Sequence, residues 1–367
     1  MLTTHKPLRI LIATPLGFRG HGGIDRLNDM IIDEVTKLPA SNIKLDRLVT
    51  RGNGSLLWSP FIFLLSLVNL WIAARWHEVD LLHIAVAVKG SLYRKLILSR
   101  WARYCGVPYL LHTHGAGFEE SWPKLPHFLR TATDRMFNES IAIVVLTSTW
   151  SQFISDRLPL SAKKVTLIPN GTPAVSMPPR TSDNDDVLIT FLGELGPRKG
   201  TPQLVEALGI LAPRKDWLAT IAGNHDIKGT KKRIQELGIA DRVTVPGWLD
   251  PVQTADLLRR TDIFVLPTFQ EVLPMSILES MSYGVAIITT PVGAIPDAIV
   301  HERTGLIVPA GDVQALTAAI ARLINDKELR RRLGTAARLK HATRFEISGC
   351  VARLIDLWRR LRLESKI

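Results

Sequence analysis

Short apolar runs recur along the whole chain, each closed by turn-forming residues and followed by an amphipathic stretch. A strand buried on both faces need not alternate, so the pattern predicts parallel strands covered by helices. A first series reads LRILIAT from Leu8, IKLDRLVT from Ile43, DLLHIA from Asp80, PYLLHTH from Pro108, IAIVVLT from Ile141 and KVTLIPN from Lys164. A second reads VLITFLG from Val187, WLATIAG from Trp217, RVTVPG from Arg242, DIFVLP from Asp262, GVAIITT from Gly284 and GLIVP from Gly305. Between them, residues 171–186 are rich in Pro, Ser and Asp and read as a linker. The predicted architecture is α/β: two doubly wound, Rossmann-like domains facing a cleft, residues 1–170 and 187–344. Ligands of such sheets sit beyond the carboxyl ends of the strands.

One stretch departs from the alternation. Leu56 to Ala74 carries no charge over nineteen residues, is bracketed by Arg51 and Arg75, and has Trp58, Trp71 and Trp76 near its ends. Length and terminal tryptophans fit a membrane span. Strands of one sheet precede and follow it, however, and a span would leave them on opposite sides of a bilayer. The expectation is a helix lying against the sheet or in a membrane interface.

The chain of 367 residues is long enough for two cores, and its net charge is +12. That charge is uneven: residues 1–170 hold 20 Lys and Arg against 12 Asp and Glu, residues 326–367 hold 12 against 5, and residues 171–325 hold 14 against 17. A basic front and tail around an acidic middle suits anionic lipid or a phosphorylated substrate. No groove-reading motif accompanies the charge, so no nucleic-acid partner is expected. Cys105 and Cys350 allow one disulfide at most and give no metal-ligand spacing. The N-terminus lacks the apolar core and cleavage site of a signal peptide, and a reducing, cytoplasmic setting is expected.

The candidate chemistry falls just after strands. The loop after the first strand, TPLGFRGHGGIDR, holds Gly17, Gly20, Gly22 and Gly23 ahead of a predicted helix, so backbone N–H groups could face an anion. Its spacing is not GxGxxG, and no acidic residue closes the second strand, which argues against a nicotinamide dehydrogenase. The fourth strand ends HTHGAGF, placing His114 at its carboxyl end on the same face as His112. The nearby Glu119 and Glu120 read as solvated. The second domain opens with GELGPRKG, where Gly193 precedes an Arg198–Lys199 pair whose donors suit a diphosphate. In EVLPMSILE, Pro274 fits a first helical turn, leaving Glu271 in the loop and Glu279 inside the helix. Carboxylates repel phosphate, so their partners are hydroxyls. Phosphates in the middle with hydroxyl-rich rings on both sides describe a nucleotide sugar.

These motifs, in this order, resemble the retaining glycosyltransferases of family 4, which have the GT-B fold: the glycine-rich first loop, HTHG, IPNG, GELGPRKG, the E-x7-E run and RTGLIVP. The resemblance covers nearly the whole chain. It implies that Glu271 binds the donor sugar, Glu279 the ribose, and Arg198 and Lys199 the diphosphate. It also implies that His114 lies near the anomeric carbon, that Gly22 and Gly23 face phosphate and sugar, and that the backbone amides of Val272, Leu273 and Met275 touch the donor. A last helix, residues 345–367, would return to the first domain with Phe345, Val351, Leu354, Leu357 and Trp358 as its apolar side.

The implied reaction moves a hexose to an acceptor hydroxyl with retention, without a metal and without a cofactor other than the nucleotide-diphosphate sugar donor. The expected acceptor is a lipid-linked saccharide in surface-polysaccharide assembly, met by a peripheral enzyme on the inner face of the cell membrane. The chain differs from the family pattern in three places. Val272 and Leu273 replace Phe-Gly, Thr172 and Pro173 follow IPNG without an acidic residue, and Tyr283 replaces a small residue. A sugar-nucleotide epimerase or hydrolase on the same fold, and a non-catalytic nucleotide-sugar-binding membrane adaptor, remain the alternatives.

Overall fold

A computed structural model of the chain describes residues 6–18, 20, 22–87, 90–115, 117–176 and 186–365. They form two compact units, Met1–Gly171 together with Ile347–Ile367, and Thr172–Glu346.

The first unit is built on β1 (Leu8–Thr14), β2 (Ile43–Val49), β3 (Leu81–Val86), β4 (Tyr109–Thr113), β5 (Ala142–Val145) and β6 (Val165–Leu167). They form one parallel sheet in the order β2-β1-β3-β4-β5-β6. Strands β3, β4 and β5 are buried along their whole length, which is why their sequences are apolar runs rather than alternations. Strand order reverses between β1 and β3, so the loops after these two strands diverge and leave a crevice at their carboxyl ends. The Ile347–Ser365 helix belongs to this unit: Trp358 packs edge-on to His83 at 5.9 Å, and Arg359 donates to the Ser41 carbonyl at 3.0 Å.

The second unit carries β7 (Val187–Leu192), β8 (Trp217–Ala222), β9 (Val243–Gly247), β10 (Ile263–Leu266), β11 (Ala286–Thr289) and β12 (Leu306–Ile307). Its parallel order is β12-β11-β10-β7-β8-β9, reversing between β7 and β10. Aromatic and aliphatic side chains such as Phe191, Phe264, Ile277 and Leu333 fill its core.

Every strand predicted from the apolar runs is present, and two boundaries move. Phe345 packs in the core of the second unit, not on the apolar side of the last helix, because it caps the Lys327–Arg344 helix and its N–H donates to His341 O at 2.8 Å. Thr172 and the residues up to 176 belong to the second unit. The Thr172 N–H donates to Phe345 O at 2.9 Å and its hydroxyl bonds His341 Nε2 at 2.7 Å. The centre of the predicted linker, residues 177–185, lies outside the described residues.

Candidate functional site

In the second unit the chemistry gathers where strand order reverses. The turn Pro197–Lys199 follows β7 and the loop 267–274 follows β10, so the two meet side by side. Their approach is close enough to demand glycine. Gly200 has φ +74°, and a Cβ there would stand 2.0 Å from the Pro267 carbonyl oxygen. The Arg198 carbonyl accepts from the Phe269 N–H at 2.9 Å and from the Thr268 hydroxyl at 3.1 Å, which ties the turn to the loop. From the other side, Gly293 (φ +57°) lets the loop after β11 press against Glu271, whose carbonyl oxygen would be 1.9 Å from a Cβ.

This framework brings Arg198, Lys199 and Glu271 together. The Lys199 ammonium contacts Glu271 Oε1, and both side chains are mostly buried. Arg198 donates to Glu271 Oε1 at 3.4 Å and to Glu194 Oε2 at 3.0 Å. Burial, and after it the Arg198 charge, push the Lys199 pKa down to about 7, with the Glu194 charge acting the other way. Burial works against charge on Glu194, but the Arg198 hydrogen bond and charge outweigh it and its pKa falls.

The helix after this loop is Met275–Ser282, and Pro274 is its N-cap with ψ 129°, just outside the first turn expected for it. A proline N-cap donates nothing to the helix, and the first N–H groups of a helix have no intrahelical carbonyl to meet, so they are available to an anion. Val272 and Leu273 are buried; the Val272 carbonyl accepts from the Ala294 N–H at 2.7 Å, which fixes the loop bearing Glu271. Glu279 is buried inside the helix. The Gly193 N–H is already used, donating to the Ala222 carbonyl at 3.1 Å.

In the first unit, Gly22 is the N-cap of the Gly23–Thr36 helix and Gly23 its first residue. Asp25, in that first turn, turns back to accept from the N–H groups of Leu16 (3.0 Å) and Gly17 (3.3 Å), holding the loop after β1. His114 leaves the end of β4 with its N–H donated to the Val86 carbonyl at 2.8 Å. Its ring lies against that of His112, tilted by 42° with 4.1 Å between centroids, and His112 Nδ1 shares a 3.1 Å hydrogen bond with His83 Nε2. Burial, then the charge of Lys95, lower the His114 pKa to about 3, so the imidazole is neutral and can accept from a hydroxyl. Glu119 is not solvated as expected from its neighbourhood in sequence. One carboxylate oxygen is buried without a partner among the described residues, and burial raises its pKa, while Glu120 is exposed.

Several of these groups are silent in the sequence. Gly293 and Glu194 act through positions fixed only by the fold, and Lys95 reads as an ordinary helix lysine until it proves fully buried. Asp25 did carry a signal, an acid in the first turn after a glycine-rich loop. Among the described residues no three of His, Cys, Asp and Glu gather in a metal-holding group, and no helix is long and apolar enough to cross a membrane.

Two family models match the chain, one described as glycosyl transferases group 1 over residues 176–340 and one as a glycosyl transferase 4-like domain over residues 36–171. The UDP-Gal:alpha-D-GlcNAc-diphosphoundecaprenol alpha-1,3-galactosyltransferase of Escherichia coli is 24% identical over 318 residues, which cover 80% of this chain and 78% of that protein. Among solved structures, sucrose-phosphate synthase from Thermosynechococcus elongatus superposes with a TM-score of 0.77 at 19% identity, covering 97% of this chain and 100% of the other. Anabaena Alr3699/HepE, solved with UDP and glucose, gives 0.74 at 16% identity, covering 96% and 100%. These likenesses show the GT-B fold.

Proposed function

The chain belongs to the group 1 and 4-like glycosyltransferases, and from that premise we propose that it is a retaining, metal-independent hexosyltransferase. It moves a hexose from a nucleoside-diphosphate sugar to a hydroxyl of a lipid-linked saccharide in surface-polysaccharide assembly. The observation that carries this reading is the Arg198–Lys199–Glu271 cluster at the β7/β10 reversal.

The two cations and the start of the Met275–Ser282 helix stabilise the charge that grows on the departing diphosphate. Lys199 is paired with Glu271. When the diphosphate takes the lysine, the carboxylate is released to accept from sugar hydroxyls, while Glu279 and the amides of Val272, Leu273 and Met275 hold the rest of the donor. No side chain at this cluster is poised as a covalent nucleophile. The bond from the anomeric carbon to the phosphate oxygen therefore breaks as the acceptor oxygen bonds to the same face, and the acceptor's proton passes to the departing phosphate oxygen. His114, neutral, orients a hydroxyl. The diphosphate is met by Arg198 and Lys199, so neither a metal nor a cofactor beyond the donor is needed.

The acceptor class draws support from the Escherichia coli relative, whose acceptor carries a diphosphoundecaprenol, and from the Ser59–Arg75 helix. That helix buries Ser59 and Ser66 with Phe63 and Leu70 while exposing Phe61, Leu64, Leu65, Val68, Trp71 and Ile72, the reverse of a water-facing helix. Trp58 and Trp76 flank it, both exposed, and the basic excess of residues 1–170 complements anionic lipid. This supports peripheral attachment to the cytoplasmic face of a membrane.

A thermal-shift panel of nucleoside diphosphates and nucleotide sugars, with and without chelator, tests the donor class. Stabilisation by at least one diphosphate, unchanged by chelator, is expected. Failure of every such compound to raise the Tm of folded protein overturns the reading.

A further inference from the structure

The first unit has its own reversal of strand order, between β1 and β3, and the groups around it are unusual in charge. Arg51 follows β2, its N–H donated to the Pro15 carbonyl at 2.9 Å, so its backbone is pinned against the loop after β1. Arg94 and Lys95 lie early in the Gly90–Tyr104 helix, the element that follows β3. Arg51 Nε, Arg94 Nε and Lys95 Nζ are all buried with no hydrogen-bond partner among the described residues. Lys95 is 1% exposed.

Arg51 lies close enough to act on Arg94, and Arg94 on Lys95. The Arg94 pKa is lowered by burial and then by Arg51, and that of Lys95 is lowered by burial and then by Arg94, to about 7. Among the described residues the acid that offsets Lys95 is Asp25, and its carboxylate is engaged by the Leu16 and Gly17 N–H groups. The second unit offers the contrast: there Glu271 and Glu194 neutralise the cations. Burying an uncompensated charge is destabilising unless something neutralises it. Lys95 is buried outright and the two guanidiniums bury only their Nε, and a chain that keeps all three without carboxylate partners at a strand-order reversal, where α/β sheets bind ligands, has kept them for an anion that arrives from outside.

We propose that Arg51, Arg94 and Lys95 form a second phosphate-binding site, in the first unit, for the phosphate or diphosphate carried by the acceptor. Two forked guanidiniums and one ammonium match the oxygens of such a group. The anion site stands on these contacts alone; its assignment to the acceptor rests on the transferase reading above.

The test uses the full chain with inorganic pyrophosphate in calorimetry at low salt. The Arg198→Ala/Lys199→Ala variant, which lacks the donor-side cations, is expected still to bind one pyrophosphate. Adding Lys95→Met and Arg94→Gln should weaken that binding by about tenfold to a hundredfold. Lys95→Met alone should raise the Tm without pyrophosphate, since it removes an unpaired buried charge, and should leave nucleoside-diphosphate binding unchanged.

Pyrophosphate affinity that ignores Lys95→Met and Arg94→Gln overturns the proposal, as does loss of all binding in Arg198→Ala/Lys199→Ala. A lower Tm for Lys95→Met would make the lysine structural and equally overturn it. Vesicles of phosphatidylglycerol form the last arm. If the Lys95 and Arg94 substitutions abolish vesicle binding but spare pyrophosphate binding, the cations serve the lipid surface and not an acceptor phosphate. Failure of the transferase reading looks different: wild-type protein would bind no nucleoside diphosphate at all.

Discussion

Two parallel sheets of six strands carry two reversals of strand order, and the side chains at them are wired in opposite ways. Beside β7 and β10 the cations Arg198 and Lys199 meet the carboxylates Glu194 and Glu271 within the protein. Beside β1 and β3 the cations Arg51, Arg94 and Lys95 meet no free carboxylate among the described residues. A paired site stays neutral when empty and exchanges one anion for another on binding. An unpaired site holds its charge in reserve at the expense of stability. The same topology thus gives one unit a poised exchange and the other a standing demand for an anion.

The largest effect should come from breaking the paired site. Lys199→Ala removes a cation aimed at charge that develops in the transition state, and transfer should fall by about a hundredfold to a thousandfold. Glu271→Gln, which keeps the shape but frees Lys199, should lower transfer while leaving nucleoside-diphosphate binding equal or tighter. Release of nucleoside diphosphate and calorimetry with the same compound measure both. If Glu271→Gln weakened diphosphate binding, the exchange between carboxylate and phosphate would be wrong.

Next in size is the backbone that holds the pair. Gly293→Ala places a Cβ against the Glu271 carbonyl at a positive φ, so the loop must move. A loss of about 2 to 4 kcal/mol of stability is expected, the range of strained or overpacked sites. Urea unfolding followed by tryptophan fluorescence would read it. An unchanged midpoint would mean that the loop after β11 yields freely and does not position Glu271.

Acid separates the units further. His83 and His114 have pKa values lowered to about 3 and His112 well below its usual value, all chiefly by burial. Among the described residues of the second unit the comparable case is His341, lowered to about 4, again chiefly by burial. Between the folded and unfolded pKa values the unfolded chain binds more protons, so stability is complete above about 6.5 and falls as the pH drops towards 3. Each histidine contributes up to about 1.4 kcal/mol per pH unit across that window. Asp25 and Glu119, whose pKa values burial raises, oppose the trend in the first unit but over a narrower range. Limited proteolysis at pH 4.5 should therefore cleave within the first unit before the second. Earlier cleavage in residues 186–346 would contradict this assignment of the acid-sensitive groups.

Much of the fold was legible in the chain because a parallel strand buried on both faces is a short apolar run, and helices cover the sheet at regular spacing. The meeting of Arg198, Lys199 and Glu271 in the second unit was legible too, since all three stand in loops after strands that the sheet order brings together. What could not be read was pairing at a distance. Nothing near Gly293 in sequence announces a role at the loop of Glu271. Lys95 and Arg94 sit in a helix whose amphipathic pattern gives no hint that one is buried and both lack carboxylate partners. Burial of charge is a property of tertiary structure, and sequence patterns register it poorly.

The smallest effect concerns surface rather than site, and it again sets one unit against the other. Leu339 in the second unit is as exposed as the apolar side chains of the Ser59–Arg75 helix, but it stands on a helix dense in Arg and Lys. Leu64 and Trp71 stand among exposed neighbours of their own kind, and only a continuous apolar face gains by entering a bilayer. Leu64→Glu and Trp71→Glu should each lower binding to phosphatidylglycerol vesicles by about tenfold, the effect of withdrawing one large apolar side chain from lipid. Leu339→Glu should change nothing. Because all three positions face solvent, their unfolding midpoints should stay within about 0.5 kcal/mol of wild type. Equal vesicle binding by all three variants would leave the inverted helix without a membrane partner, and the basic charge of the first unit would then have to serve soluble anions alone.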